Sequence, residues 1–196
     1  MKFKLALLSM FILLASMLAA CSGPGSQAQR TPIPMVAQVA LAAPSGPGKL
    51  AAVTSKDHCL VRAVDLLGAW AAAGAPEKDS FEFKDANGKT CQAAFPEDVS
   101  FLFWESNVWF DGAIACKVCH GPDLKYSYAQ MDLSAYAGIQ AGSRRASADA
   151  KGQDIMGSGN WEQAKLRQVL VTKFMPLGRP SESPENGPLV LAGKPK

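Results

Sequence analysis

The chain has 196 residues, with 20 Lys and Arg against 17 Asp and Glu, two His and five Cys. With that near-balance nothing in the chain resembles the basic patch of a nucleic-acid binder, and no one-signed field identifies a docking partner. Beyond an N-terminal leader, the remaining length suits one folded domain.

Residues 1–20 read as a signal peptide. Lys2 and Lys4 precede Leu5 to Ala20, an apolar run of 16 residues without a charge. That is short for a membrane span and right for the apolar core of an export signal. The run ends Leu18-Ala19-Ala20-Cys21, which resembles the lipobox of bacterial lipoproteins. The resemblance implies cleavage after residue 20, lipidation of Cys21, and anchoring at the extracytoplasmic, periplasmic-side face of the cell membrane. A diacylglyceryl group with a further acyl chain is enough for stable anchoring. The alternatives are an ordinary signal with a chance cysteine, or an uncleaved anchor helix. Residues 21–50 carry Pro24, Pro32, Pro34, Pro44 and Pro47 among Gly and Ser. Such a segment buries too little apolar surface to fold and favours extended structure, so it is expected to be a disordered linker. Whether it is a spacer or a tether along a larger partner stays open.

Residues 51–98 read as a helix and a β-hairpin. Leu60, Val61, Val64, Leu67 and Trp70 recur at helical spacing over Cys59 to Ala73, which Gly74-Ala75-Pro76 ends. Phe81-Glu82-Phe83-Lys84 alternates into Asp85-Ala86-Asn87-Gly88, a hairpin signal with Asn-Gly at its turn. Cys59 and Cys91 lie on these two elements. In an oxidising compartment they are expected to form a disulfide, with free buried thiols as the alternative.

From Glu97 to Cys116 the chain is apolar and aromatic, with Phe101, Leu102, Phe103, Trp104, Trp109 and Phe110; helical packing is expected. The stretch runs into Cys116-Lys117-Val118-Cys119-His120, a C-x-x-C-H pentad. This is the attachment signature of a c-type haem. Two thiols three positions apart share one face of a helical turn, where both can add across the vinyl groups of one haem. His120 then offers its imidazole to the iron as proximal ligand. Zinc would need a second ligand pair of similar spacing, which Cys59, Cys91 and His58 do not supply.

Gly121-Pro122-Asp123-Leu124 is a tight loop in a region whose carbonyls can orient the proximal imidazole. Met131 to Ile139 reads as a strand-to-turn or a short helix. Arg144-Arg145 follows in a Gly/Ser/Ala-rich loop, either surface charge or a partner for a haem propionate. Asn160 and Gln163 form a capping-box pattern before the apolar face of Leu166, Val169 and Leu170. Phe174-Met175-Pro176-Leu177-Gly178 comes next. Of the methionines beyond the signal, Met35 is in the linker, Met131 follows His120 too closely, and Met156 has no rigid seat. Met175, held by Pro176, is the expected distal iron ligand, with Met156, His58 or an open position as alternatives.

The pentad with Gly121-Pro122 and the late Met175-Pro176 resembles class I cytochrome c. Phe101-Leu102-Phe103, Met131-Asp132-Leu133-Ser134 and the Trp161-to-Arg167 segment resemble mono-haem cytochrome lipoproteins of filamentous green bacteria. With the lipobox, linker and Cys59/Cys91 region, the whole is similar to the small mono-haem subunit of alternative complex III. The resemblance implies a mainly α, class I cytochrome c-like haem domain over residues 99–180. An N-terminal helix plus β-hairpin extension (51–98), the lipid-anchored linker and a C-terminal tail (181–196) would flank it. It further implies one covalent haem c, a multihaem cytochrome and other subunits of a quinol-oxidising complex as partners, and a soluble redox acceptor. A free-standing electron carrier shares the same parts. A haem enzyme such as a peroxidase would need an open distal site with an acid–base group, for which His58 is the one imidazole to hand.

Overall fold

A computed structural model of the chain describes residues 57–196. The signal segment, Cys21 and the whole proline-rich linker read from the sequence lie outside them. Among the described residues no helix is long and apolar enough to cross a membrane.

The first described element is a strand rather than a helix. β1, Cys59–Arg62, pairs antiparallel with β4, Leu189–Ala192, in the register Cys59 to Ala192 and Arg62 to Leu189. Helix α1, Ala63–Ala72, then starts four residues later than its apolar spacing predicts. Buried Cys59 and Val61 alternate with half-buried Leu60 and Arg62, which is strand periodicity. The partner that selects it, Leu-Val-Leu-Ala, lies at the far end of the chain.

β2, Phe81–Lys84, and β3, Thr90–Ala93, form the hairpin. Its loop is longer than an Asn-Gly two-residue turn. The Asp85 carboxylate accepts from the amides of Asn87 (2.9 Å) and Lys89 (2.8 Å), an Asx-type arrangement. β5, Lys194–Pro195, adds to the other edge of β3. Between β4 and β5 the chain passes from one sheet to the other through Gly193, whose φ is +59° and whose amide donates to Asp98 at 2.6 Å. A side chain there would collide with the Gln92 carbonyl. The Cys59–Cys91 disulfide ties β1 to β3 and hence one sheet to the other. Its span of 32 residues corresponds to about 3–4 kcal/mol in the chain-entropy account.

The expectation of a mainly α, class I cytochrome c-like fold is overturned. Among the described residues there are two antiparallel sheets, and the longest helix, α1, has only ten residues. The aromatic run before the pentad forms a π-helical turn, Phe95–Val99, and a single turn of α-helix, α2, Phe101–Trp104. It then breaks at Glu105, and Asn107 and Gly112 take positive φ (64° and 86°). The Asn107 side chain accepts from Gly112 at 2.9 Å, closing an irregular loop in place of a helix. α3 is Cys116–Cys119 and α4 is Tyr136–Ala141. The expected capping box is also absent. Asn160 makes no side-chain cap, Trp161–Gln163 is a tight 3-10 turn, and α5, Lys165–Val171, starts after Ala164.

α1 lies at the centre of the core. Val64, Leu66, Leu67 and Trp70 are essentially inaccessible. Trp70 stacks on Phe95 (centroids 4.8 Å apart) and meets Phe103 and Tyr136 edge-on. Its indole N–H donates to the Pro76 carbonyl, and the Tyr136 hydroxyl to Ala75. Residues on both sides of the pentad thus pack on one helix from the N-terminal part. All belong to one compact unit.

Candidate functional site

α3 is one helical turn, and it carries both thiols. Cys116 and Cys119 are free and half-buried. The His120 amide donates back to the Cys116 carbonyl at 2.9 Å, so the imidazole follows directly from the end of the turn. Burial pushes the Cys116 thiol up to about 11. It stays protonated at neutral pH and points at the Leu102 carbonyl, 3.8 Å away.

His120 is buried, with 7% of its surface exposed. Its Nδ1 lies 2.8 Å from the main-chain oxygen of Tyr128. A carbonyl only accepts, so Nδ1 carries the proton and Nε2 keeps the lone pair a metal takes. The acceptor lies later than the Gly121–Leu124 loop in which the sequence places it. Two residues with left-handed backbone follow Tyr128, Ala129 (φ 59°) and Gln130 (φ 44°), a costly geometry for side chains with a Cβ. It is held from both sides. The buried Ser127 hydroxyl donates to the Met131 carbonyl, and the amides of Arg144 and Arg145 donate to Ala129 (2.7 Å) and Gln130 (3.3 Å). The Leu133 amide donates to the His120 carbonyl at 2.7 Å, and the Trp104 indole to the Leu133 carbonyl at 3.0 Å.

Arg144 and Arg145 therefore act here through their backbone. The Arg145 guanidinium bonds the carbonyls of Ala150 and Ala148, while the Arg144 side chain is exposed.

Met175 is half-buried on the loop after α5, its amide donating to Val169 at 3.0 Å. This loop packs against the segment before the pentad. Gly178 faces Phe110, and the Arg179 guanidinium lies over the Trp109 ring, 5.7 Å from its centroid. The Trp109 indole donates to the Leu102 carbonyl at 2.9 Å, the same oxygen that Cys116 approaches. Packing thus links the Met175 loop to the Cys116 turn. Met156 is buried in the core and Met131 lies beside the His120 loop. His58 stands just before β1, next to the disulfide.

Zinc chemistry fits this site poorly. Among the described residues the one cluster whose ligating atoms lie within 4.8 Å of one another is Cys59, Asp85 and Cys91. Its two sulfurs are already joined, and Cys116, Cys119 and His120 do not converge in this way.

A haem fits better. The thiols are unpaired, His120 keeps Nε2, and apolar surface stands ready to be covered. Of the eight large apolar side chains exposed among the described residues, Val118 lies within the pentad, Ile114, Tyr126 and Tyr128 lie within eight residues of it in the chain, and Phe174 and Leu177 flank Met175 in sequence. A cleft of about 620 Å³ lined by Pro122, Asp132, Gly138, Arg145 and Lys151 includes none of the thiols, His120 or Met175.

Sequence reasoning missed Ser127, Arg179 and the carbonyl of Tyr128, and read Trp109 only as one of an aromatic run. A backbone acceptor leaves no mark on residue identity, and nothing in composition or spacing singles out Ser127 or Arg179. Comparison with protein-family models, curated proteins and solved structures returns no match.

Proposed function

We propose that this chain is a membrane-anchored mono-haem c-type cytochrome that carries one electron at a time on the extracytoplasmic side. The observation that carries the reading is the His120 ring. Its Nδ1–H is committed to the Tyr128 carbonyl, and its free Nε2 follows a turn bearing two unpaired thiols. When bound, a haem supplies an iron that cycles between ferric and ferrous states.

The chain's own residues do the rest. Cys116 and Cys119 hold the macrocycle through thioether bonds, and His120 coordinates with an orientation and basicity set by Tyr128. The Met175 thioether favours the ferrous state and raises the potential. Phe101, Trp104, Val108 and Phe110, half-buried against the core, would supply apolar surface toward the group. An electron carrier needs no acid or base at the distal face. Lipidated Cys21 anchors the unit. A place beside a multihaem cytochrome in a quinol-oxidising complex rests on the sequence resemblance alone.

The test is production of the full chain with a c-type maturation system, followed by mass analysis of the peptide holding Cys116 to His120. The peptide should carry one haem, and Cys116→Ser with Cys119→Ser should lose it. Unmodified cysteines, or stoichiometric zinc, would overturn the reading. Cys21→Ser should release the protein from membranes, and solubilised membranes should yield it together with a multihaem cytochrome.

A further inference from the structure

Arg179 is a buried cation, 7% exposed, without a carboxylate partner among the described residues. An unpaired charge in the interior is costly, so its surroundings must compensate. Nη1 donates to the Leu170 carbonyl at 2.7 Å, while Nη2 donates to the carbonyls of Pro184 and, at 3.2 Å, Glu185. Nε has no partner. The acceptors stand before and after Met175 in the chain, so one guanidinium staples both ends of the loop that carries the thioether. Gly178, with φ of +81°, turns the chain so that Arg179 can fold back. The outer face of the guanidinium covers Trp109, whose indole shares the Leu102 carbonyl with Cys116.

We infer that Arg179 is the positioning residue for Met175: it closes the 170–185 loop and locks it, through Trp109, to the turn that carries the first haem thiol. The inference rests on the haem reading above. A planar fork that also stacks on an aromatic face is specific to arginine. Lysine keeps the charge but neither reaches three carbonyls nor covers the ring. A merely structural Arg179 would lower stability and leave the seat of Met175 unchanged once the chain is folded.

The experiment uses the full-length holoprotein, with imidazole as the competing ligand. The oxidised protein is titrated with imidazole while the sulfur-to-iron absorption band is followed, in the parent and in Arg179→Lys and Trp109→Phe. Arg179→Lys should let imidazole displace Met175 at about tenfold lower concentration, equivalent to about 1.4 kcal/mol. Trp109→Phe, which keeps a ring but loses the indole donor, should fall between. In the chain without haem, the Met175 amide should exchange its hydrogen faster in Arg179→Lys while the β1 and β3 amides keep their protection. Unchanged imidazole affinity in both variants overturns the inference and leaves the haem reading intact. A parent with covalent haem but no band overturns it too, because Met175 is then not the ligand. A parent without haem removes the functional reading itself.

Discussion

The ring Nδ1 of His120 and the main-chain oxygen of Tyr128 stand 2.8 Å apart. That one bond sets tautomer, ring orientation and ligand basicity together. It depends on a stretch of backbone that is unfavourable in isolation, because Ala129 and Gln130 both have positive φ. What holds this stretch should therefore be felt at the iron of the proposed haem.

Ser127→Ala removes the hydroxyl that donates to the Met131 carbonyl across this loop. A lost buried hydrogen bond costs about 1 kcal/mol of stability. A looser Tyr128 acceptor makes His120 a weaker donor to ferric iron, so the midpoint potential should rise. The rise should stay within about 59 mV, the equivalent of a tenfold change for one electron. Redox titration and a denaturant melt on the same variant check both; an unchanged or lower potential contradicts the role given to the loop.

Met175→Ala should abolish the sulfur-to-iron band of the oxidised protein and lower the midpoint potential, because a thioether ligand stabilises ferrous iron. Met156→Leu, a change of similar volume in the core, should leave the band in place and cost less than about 1.5 kcal/mol. The reverse pattern would move the distal ligand to Met156.

Gly68 lies in the middle of α1, where alanine would ordinarily add up to about 1 kcal/mol of stability. Here an added Cβ would stand 2.6 Å from the Trp161 ring. Gly68→Ala should therefore destabilise by about 1–2 kcal/mol. The same change in a Trp161→Ala background should be neutral or stabilising. A double-mutant cycle by chemical denaturation measures the difference; additive effects would mean that Trp161 swings away freely.

Burial alone would raise the Asp154 carboxyl, but the Ser158 hydroxyl (2.7 Å) and the amides of Met156, Ser158 and Gly157 outweigh it and hold it below its ordinary 3.8. A carboxyl depressed in the folded state binds its proton more readily when unfolded. Its contribution is therefore present above 3.8 and fades as pH falls through the lower, folded value. Asp154→Asn should lower stability at neutral pH and flatten the acid limb of the stability curve. A parallel acid limb in the variant would show that another group sets it.

Features with local causes were legible in the sequence. The hairpin over residues 81–93 was readable because alternation and a loop of Asp, Asn and Gly act within a dozen residues. That Cys116, Cys119 and His120 share one turn was readable because their spacing acts within five residues. Helix positions were less secure where a distant partner competed. Cys59 to Arg62 has helical spacing and strand periodicity at once, and only Leu189–Ala192 decides between them. The aromatic run after Phe101 has the apolarity of a helix, but Asn107 and Gly112 close it into a loop.

By itself the sequence determined that two thiols and an imidazole stand in a C-x-x-C-H pentad at Cys116, Cys119 and His120, and that positive and negative side chains are nearly balanced. Tertiary structure decided that β1 pairs with Leu189–Ala192 near the end of the sequence, that α1 is the centre of the core, and that the Tyr128 carbonyl accepts the hydrogen bond of the His120 ring. It also brought Arg179, unmarked in the sequence, between the Met175 loop and Trp109. The physical reason is the range of the forces. Spacing on one turn is set by bonds and dihedrals within five residues. Strand pairing, a backbone acceptor and a buried guanidinium depend on segments that meet only when apolar surface leaves water.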